Sequence, residues 1–385
     1  MANPDTFTET TQTGLGGNLG NSCGKVIAGV ILFLIGVVGL FWNEGNYVKT
    51  QKALNEAQEQ LVNVSDISTY QAANEGKVVF MSGTAMTEDG VEDSTFEFGI
   101  VALAMNRKVQ YYQWQEESES KEEQKLGGGT ETVTTYSYKK VWSDEPIDSS
   151  SFEKAGYNNT VALGNVKEES FYAKDASMGA YRLSQAQIAM ISGGDLLSLD
   201  DVEIAVDEDV NAEVLDDVLY IHASANSSAD AQIGDMKISW TCLGEEMPVS
   251  FIAQQQGKSF VPFAASSGRD VFILKSGVQS PEALFGDAHS DNNIMLWVIR
   301  IVGFICVAIG ISCLAAPLQA LANVVPFLGS IVGAASAIIA FIIAIPVSLV
   351  VIAVAWLFYR PVIAIILLVL AGGVLYMVFK KRKSA

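Results

Sequence analysis

Three long apolar runs close the chain and one opens it. Between Ile294 and Phe379 the only charged residues are Arg300 and Arg360, and the runs Ile294–Ala316, Ile331–Phe358 and Pro361–Phe379 are apolar almost throughout. A fourth run, Val26–Trp42, follows Lys25. About 20 apolar residues cross a hydrocarbon layer roughly 30 Å thick. In lipid, a helix satisfies its own backbone polar groups. The pattern therefore predicts four transmembrane helices, at 25–42, 294–316, 331–358 and 361–379. No small-x-small cleavage site follows the first run, where Phe41-Trp42-Asn43-Glu44-Gly45 stands instead, so it reads as an uncleaved anchor.

Between the first and second spans the pattern changes to short β-branched and aromatic runs bounded by Gly, Asn, Asp and Ser. Lys77–Gly83, Thr95–Ala104, Val109–Glu116, Thr132–Trp142, Val218–Ala223, Met236–Leu243, Val249–Gln254 and Val271–Leu274 read as strands. Gln51–Leu61 has the composition of a helix. Ser184–Ile191 reads as a second helix, stopped by Gly193-Gly194. Ser280-Pro281-Glu282 reads as a helix start leading into the second span. Segment 43–293 is thus a β-rich α+β domain. Its charged stretch Glu116–Gly129 reads as a solvated hairpin tip. Tail 1–24, rich in Thr, Gly and Asn, is expected to lack structure. Segment 317–330 is uncharged and broken by Pro317 and Pro326, and is expected to lie in the cytoplasmic interface.

Charge sharpens this division. Segment 43–293 holds 41 of the 43 acidic residues and 17 of the 24 basic ones, whereas everything after it is basic and carries no acid. So acidic a body argues against nucleic acid, whose phosphates call for Lys and Arg. Lys380, Lys381, Arg382 and Lys383 in the tail 380–385, with Lys25 at the other end, place both termini in the cytoplasm by the positive-inside rule. The domain is then lumenal or periplasmic.

Chemistry-bearing patterns are few. Two histidines and four scattered cysteines show no zinc spacing, and there is no GxSxG elbow, phosphate loop, HExxH or Rossmann glycine set. Hence no catalytic, cofactor-binding or metal residues are assigned, no cofactor is expected, and the chain is not expected to be an enzyme. The interaction candidates lie where the chain leaves the membrane. Asn43-Glu44-Gly45 is expected at the outer boundary together with Arg300, Arg360 and Pro361, where a charge needs a partner or a route to water. Glu44 is expected to pair with Arg300 or Arg360. Trp42, Trp297, Trp356 and Tyr359 read as an anchoring aromatic belt. Gly329 and Gly333, four residues apart, form a small-residue ladder suited to close helix packing, within the chain or between copies.

Taken together these segments resemble the LUMA family, the transmembrane protein forty-three family. The resemblance rests on Phe41-Trp42-Asn43-Glu44-Gly45 with Val48-Lys49-Thr50, on Asn74-Glu75-Gly76-Lys77-Val78, and on Tyr112-Gln113-Trp114. Tyr136-Ser137-Tyr138, Ile233-Gly234-Asp235, Val261-Pro262-Phe263 and Ala355-Trp356-Leu357-Phe358-Tyr359-Arg360-Pro361 extend it along nearly the whole chain. Asn46 departs from it, since the family usually has Arg there. The resemblance implies four spans, a large lumenal or periplasmic domain and self-association. In animals it implies the inner nuclear membrane and endoplasmic reticulum. The expected function is a multi-pass scaffold that organises membrane or envelope protein complexes, with membrane lipids, envelope proteins and copies of itself as partners. The alternatives are a subunit of an oligomeric pore or ion pathway, and an extracytoplasmic hydrolase acting on lipid or envelope material.

Overall fold

The computed structural model describes residues 6–164, 166–207, 209–224, 230–324, 326–362, 364–366 and 369. Its helices are α1 (Leu15–Glu59), α2 (Gln185–Ile188), α3 (Pro281–Leu314), α4 (Ala316–Ala322) and α5 (Pro326–Tyr359). Among the described residues three helices are long and apolar enough to cross a membrane: α1, α3 and the Ile331–Tyr359 part of α5. Ile27, Leu34, Ile35 and Val38 of α1 lie bare on the surface, as do Ile338, Phe341 and Leu349 of α5. Lipid, not water, is the solvent such faces fit. The expected fourth span, 361–379, and the basic tail 380–385 lie for the most part outside the described residues.

The spans do not end where their apolar runs end. Residues 43–59 follow Trp42 without proline and rich in Lys, Ala, Glu and Gln, all good helix formers. The anchor and the helix expected at Gln51–Leu61 are therefore one 45-residue helix, about 67 Å long at 1.5 Å per residue. Likewise α3 starts at Pro281 rather than at Ile294, with the Ser280 hydroxyl accepting from the Ala283 N–H at 3.2 Å. Segment 317–330 is also more regular than expected, because α4 occupies most of its first half and α5 begins at Pro326. Proline suits the first turn of a helix, where its missing N–H is not needed.

Glycines set the contact between α1 and α3. A Cβ on Gly36 would stand 2.8 Å from the Gly303 carbonyl oxygen, and one on Gly29 would stand 2.9 Å from that of Gly310. The paired glycines are seven residues, two turns, apart on each helix, so the backbones touch twice along the crossing. The ladder picked out from the sequence lies elsewhere, on α5. Gly333 has no neighbour that a Cβ would meet within 4 Å, and Gly329 sits in the first turns of α5.

Two large, mainly antiparallel sheets make most of the domain. One runs in the order Thr6–Thr13, Thr130–Ser143, Ala104–Gln124, Met236–Leu243, Val218–His222 and Asn211–Leu215. The other runs Tyr181–Leu183, Ala176–Met178, Val78–Thr87, Glu246–Gln256 and Ser259–Val261. Both send residues into one core around Trp240, including Phe96, Phe251, Phe260, Met81, Met178 and Ile221. The second sheet is covered on its outer face as well. There Val78, Phe80 and Ile252 meet Ala53, Leu54 and Ala57 of α1 and Leu284 and Phe285 of α3. This explains why Val78–Met81 is apolar at every position, since a strand buried on both faces loses the alternation of a half-exposed one.

The N-terminal tail differs from expectation. Thr6–Thr13 is a strand paired with Thr130–Ser137, and α1 follows at Leu15. Threonine is β-branched and favours extended backbone, so a Thr-rich segment beside an open strand edge pairs with it. The stretch expected as a hairpin tip is mostly strand too. Ala104–Gln124 and Thr130–Ser143 pair as far as Gln124 with Thr130, and the turn is closed by Gly127 and Gly128 at positive φ. This three-stranded ribbon reaches the far end of the helices, where the Asn18 amide donates to the Gly128 carbonyl and the Thr130 hydroxyl, each at 2.9 Å.

Candidate functional site

Where α1 leaves its apolar stretch, Phe41, Glu44, Gly45 and Val48 fall on one helix face by their three- and four-residue spacing. That face meets α3 and α5. Gly45 lies so close to α5 that a Cβ would stand 2.5 Å from the Tyr359 ring, and the Asn43 amide donates to the Leu296 carbonyl of α3 at 2.9 Å. Glu44 is wholly buried. Arg300 Nε donates to its Oε1 at 2.7 Å, and the Trp356 indole N–H donates to its Oε2 at 2.8 Å. One carboxylate thus ties three helices together.

Of the two arginines expected as partners, Arg300 takes the acid and Arg360 does not. The Arg360 guanidinium lies over the Tyr47 ring at 4.6 Å and near that of Trp356 at 5.9 Å, an aromatic seat for a cation. Tyr47 is held in turn by its hydroxyl, which donates to Asn293 Oδ1 at 2.7 Å. Pro361 starts a new helical turn straight after Arg360, and the Ala364 N–H donates to the Arg360 carbonyl. The junction therefore joins Asn43, Glu44, Gly45, Arg300, Arg360 and Pro361, and leaves Gly333 apart. The sequence marks Trp356 only as part of the aromatic belt. The signal that marks it is unpaired acceptor capacity: a buried carboxylate has two oxygens, and Arg300 satisfies only one.

This cluster is built to hold, not to react. Both Glu44 oxygens have donors, and among the described residues no serine or cysteine hydrogen-bonds to the pair. The domain has a second buried ion pair of the same kind, Arg107 with Asp93, which the sequence does not announce. Asp93 also accepts from the Trp240 indole at 2.9 Å, while Arg107 reaches Glu169 at 2.8 Å and the Lys167 carbonyl at 2.9 Å. Burial pushes the Cys242 thiol up, with Asp195 adding to the effect, so it is a poor nucleophile. Among the described residues no group of His, Cys, Asp and Glu could hold a metal ion.

The junction can be set against known proteins. The family model of Transmembrane protein 43 matches residues 111–361, well over half of the chain. The chain belongs to the transmembrane protein 43 family. Transmembrane protein 43 of Homo sapiens is 28% identical over 374 residues, covering 94% of this chain and 91% of that protein. The Transmembrane protein 43 homolog of Drosophila melanogaster is 27% identical over 359 residues, covering 92% and 93%. No solved structure matches the chain. The family match takes in Arg300, Trp356 and Arg360 and ends at Pro361, so the α3 and α5 sides of the junction lie within the part that defines the transmembrane protein 43 family.

Elsewhere on the domain, a cleft of about 510 Å³ collects Glu88, Asp89, Asp175, Glu245 and Glu246. The Asp89 carboxylate there accepts the backbone N–H groups of Lys174 and Asp175. In this transmembrane protein 43 relative the adjacent acids Glu245 and Glu246 border one cleft, although neighbouring residues of a strand point to opposite faces. Glu245 explains the exception, because it belongs to the turn between strands and its carbonyl accepts the Thr87 N–H.

Proposed function

We propose that this chain is a multi-pass membrane scaffold that holds its acidic domain in a fixed attitude to the bilayer and organises other membrane proteins or copies of itself. The observation that carries the reading is the junction around Glu44. There three helices are locked at the depth where two of them, α1 and α3, pass unbroken onto the outer face of the second sheet. Such an arrangement fixes position and supplies no reaction. The domain lies outside and the termini in the cytoplasm, on the side of Lys25 and of the C-terminal basic cluster, with the helix expected at 361–379 as fourth span. In a cell with a nucleus the membranes would be the endoplasmic reticulum and the inner nuclear membrane. In a bacterium it would be the cytoplasmic membrane.

The test is affinity purification of the full chain in mild detergent, followed by mass measurement. A scaffold emerges with defined partners or as a defined oligomer. A bare monomer at every detergent strength overturns the reading. Protease checks the orientation: added to sealed microsomes it should clip both ends and spare the domain, and added to bacterial spheroplasts it should digest the domain and spare both ends.

One observation favours a second reading, a pore or ion pathway made of several copies. The polar ribbon reaches the far end of α1 and so runs at the depth of its apolar stretch. Lipid excludes such a ribbon, whereas a water-filled lumen enclosed by several copies admits it. Ionic currents from purified protein in planar bilayers would support this reading.

A further inference from the structure

A cleft of about 350 Å³ opens between α3 and α5 just below the junction, and it is lined by Trp297, Arg300, Phe304, Ser348, Leu349 and Trp356 among others. Its wall is almost wholly apolar except at two points. One is Arg300, at the mouth beside Glu44. The other is Ser348, a buried residue whose hydroxyl has no hydrogen-bond partner among the described residues. An unpaired hydroxyl at this depth is unusual. A serine inside a membrane helix ordinarily returns its proton to the carbonyl four residues back, as Ser336 does to Val332 at 2.6 Å.

Charge points the same way. Glu44 and Arg300 cancel. Arg360 rests on Trp356, itself a wall of the cleft, and has no carboxylate partner among the described residues. One net positive charge, that of Arg360, therefore stands next to the mouth across the Trp356 ring, at the boundary of the hydrocarbon and above an apolar slot that faces lipid. We propose that the cleft is a binding site for one anionic glycerophospholipid. Its phosphate lies against Arg360 and Arg300, one acyl chain lies along Phe304 and Leu349, and an ester carbonyl accepts the Ser348 hydroxyl. A zwitterionic headgroup fits less well, because it brings a cation of its own to a site that already has one.

The test is native mass spectrometry of the full chain, delipidated in mild detergent and titrated with dioleoyl phosphatidylglycerol or dioleoyl phosphatidylcholine. One phosphatidylglycerol should bind per chain with a preference of about tenfold, the scale of one partly screened ion pair. Arg360→Gln should remove the preference. Ser348→Ala should weaken both lipids alike and leave the preference intact, which a general loss of folding would not do. Ile352→Trp, which fills the slot, should abolish binding. Equal affinity for the two lipids in the unaltered chain overturns the site, as does an undiminished preference in Arg360→Gln. So does a third outcome, in which the unaltered chain binds neither lipid while a chain ending at Arg360 gains one phosphatidylglycerol. The occupant would then be the protein's own residues 361–385.

Discussion

Glu44 shows how much rests on a single side chain. A carboxylate wholly out of water is tolerable only while each oxygen keeps its donor, and here the donors come from two other helices. Removing one member of a buried ion pair costs about 3–5 kcal/mol, because the other is left charged and alone. Glu44→Ala and Arg300→Ala should each lower the midpoint of thermal unfolding in detergent sharply. The exchange of Glu44→Arg with Arg300→Glu should regain part of the loss, and a double variant no better than either single change would sink the pairing. Trp356→Phe keeps the ring and loses only the N–H, so it should cost about 1–3 kcal/mol, the penalty of one unsatisfied buried acceptor. Arg360→Ala should be milder, at about 0.5–2 kcal/mol, since only its seat over the rings of Tyr47 and Trp356 is lost.

Among the elements, the α1–α3 crossing gives the clearest test of packing. Gly36→Val places a branched side chain where even a Cβ would meet the Gly303 carbonyl at 2.8 Å, whereas Gly333→Val enters open space. The first should destabilise the purified monomer. The second should not, and a Gly333→Val variant that loses only its oligomer would place that ladder between copies. The contrast also shows what can be read from the chain. Apolar runs mark three spans because lipid demands composition and length, which a single sequence displays. The choice among glycines depends on which helix lies opposite, so the four-residue spacing at Gly329 and Gly333 stands out in the sequence while the seven-residue spacing of Gly29 and Gly36 does the packing. The strands at Val78–Thr87 and Met236–Leu243 are legible from their patterns. Their neighbours in the sheet are not, since pairing joins residues far apart, as in Val109 with Ile238. Glu44 and Arg300 were legible as partners because both sit at one boundary. Trp356 was hidden behind the ordinary use of tryptophan there.

At the scale of the whole molecule, the ribbon and the bilayer compete for one place. Residues 116–124 cover about 30 Å as extended strand, and Ser22–Trp42 cover about 30 Å as helix. The ribbon therefore passes the full apolar depth with Glu116, Glu117, Glu119, Glu122 and Glu123 on it, charges that hydrocarbon does not accept. With lipid around a lone chain, the contact of Asn18 with Thr130 must open, and the pairing of Thr6–Thr13 with Thr130–Ser137 must open with it. Asn18→Cys with Thr130→Cys should then cross-link in detergent and fail to do so in sealed membranes, read as a band shift missing from both single-cysteine controls. Cross-linking in sealed membranes would mean that water reaches the ribbon inside an assembly. One consequence follows from α1 alone. It has no joint between the hydrocarbon and the domain, so any lean imposed on it by a thicker or thinner bilayer must pass undiminished to the body it carries. The height and facing of that body become a mechanical gauge of the membrane in which the protein stands.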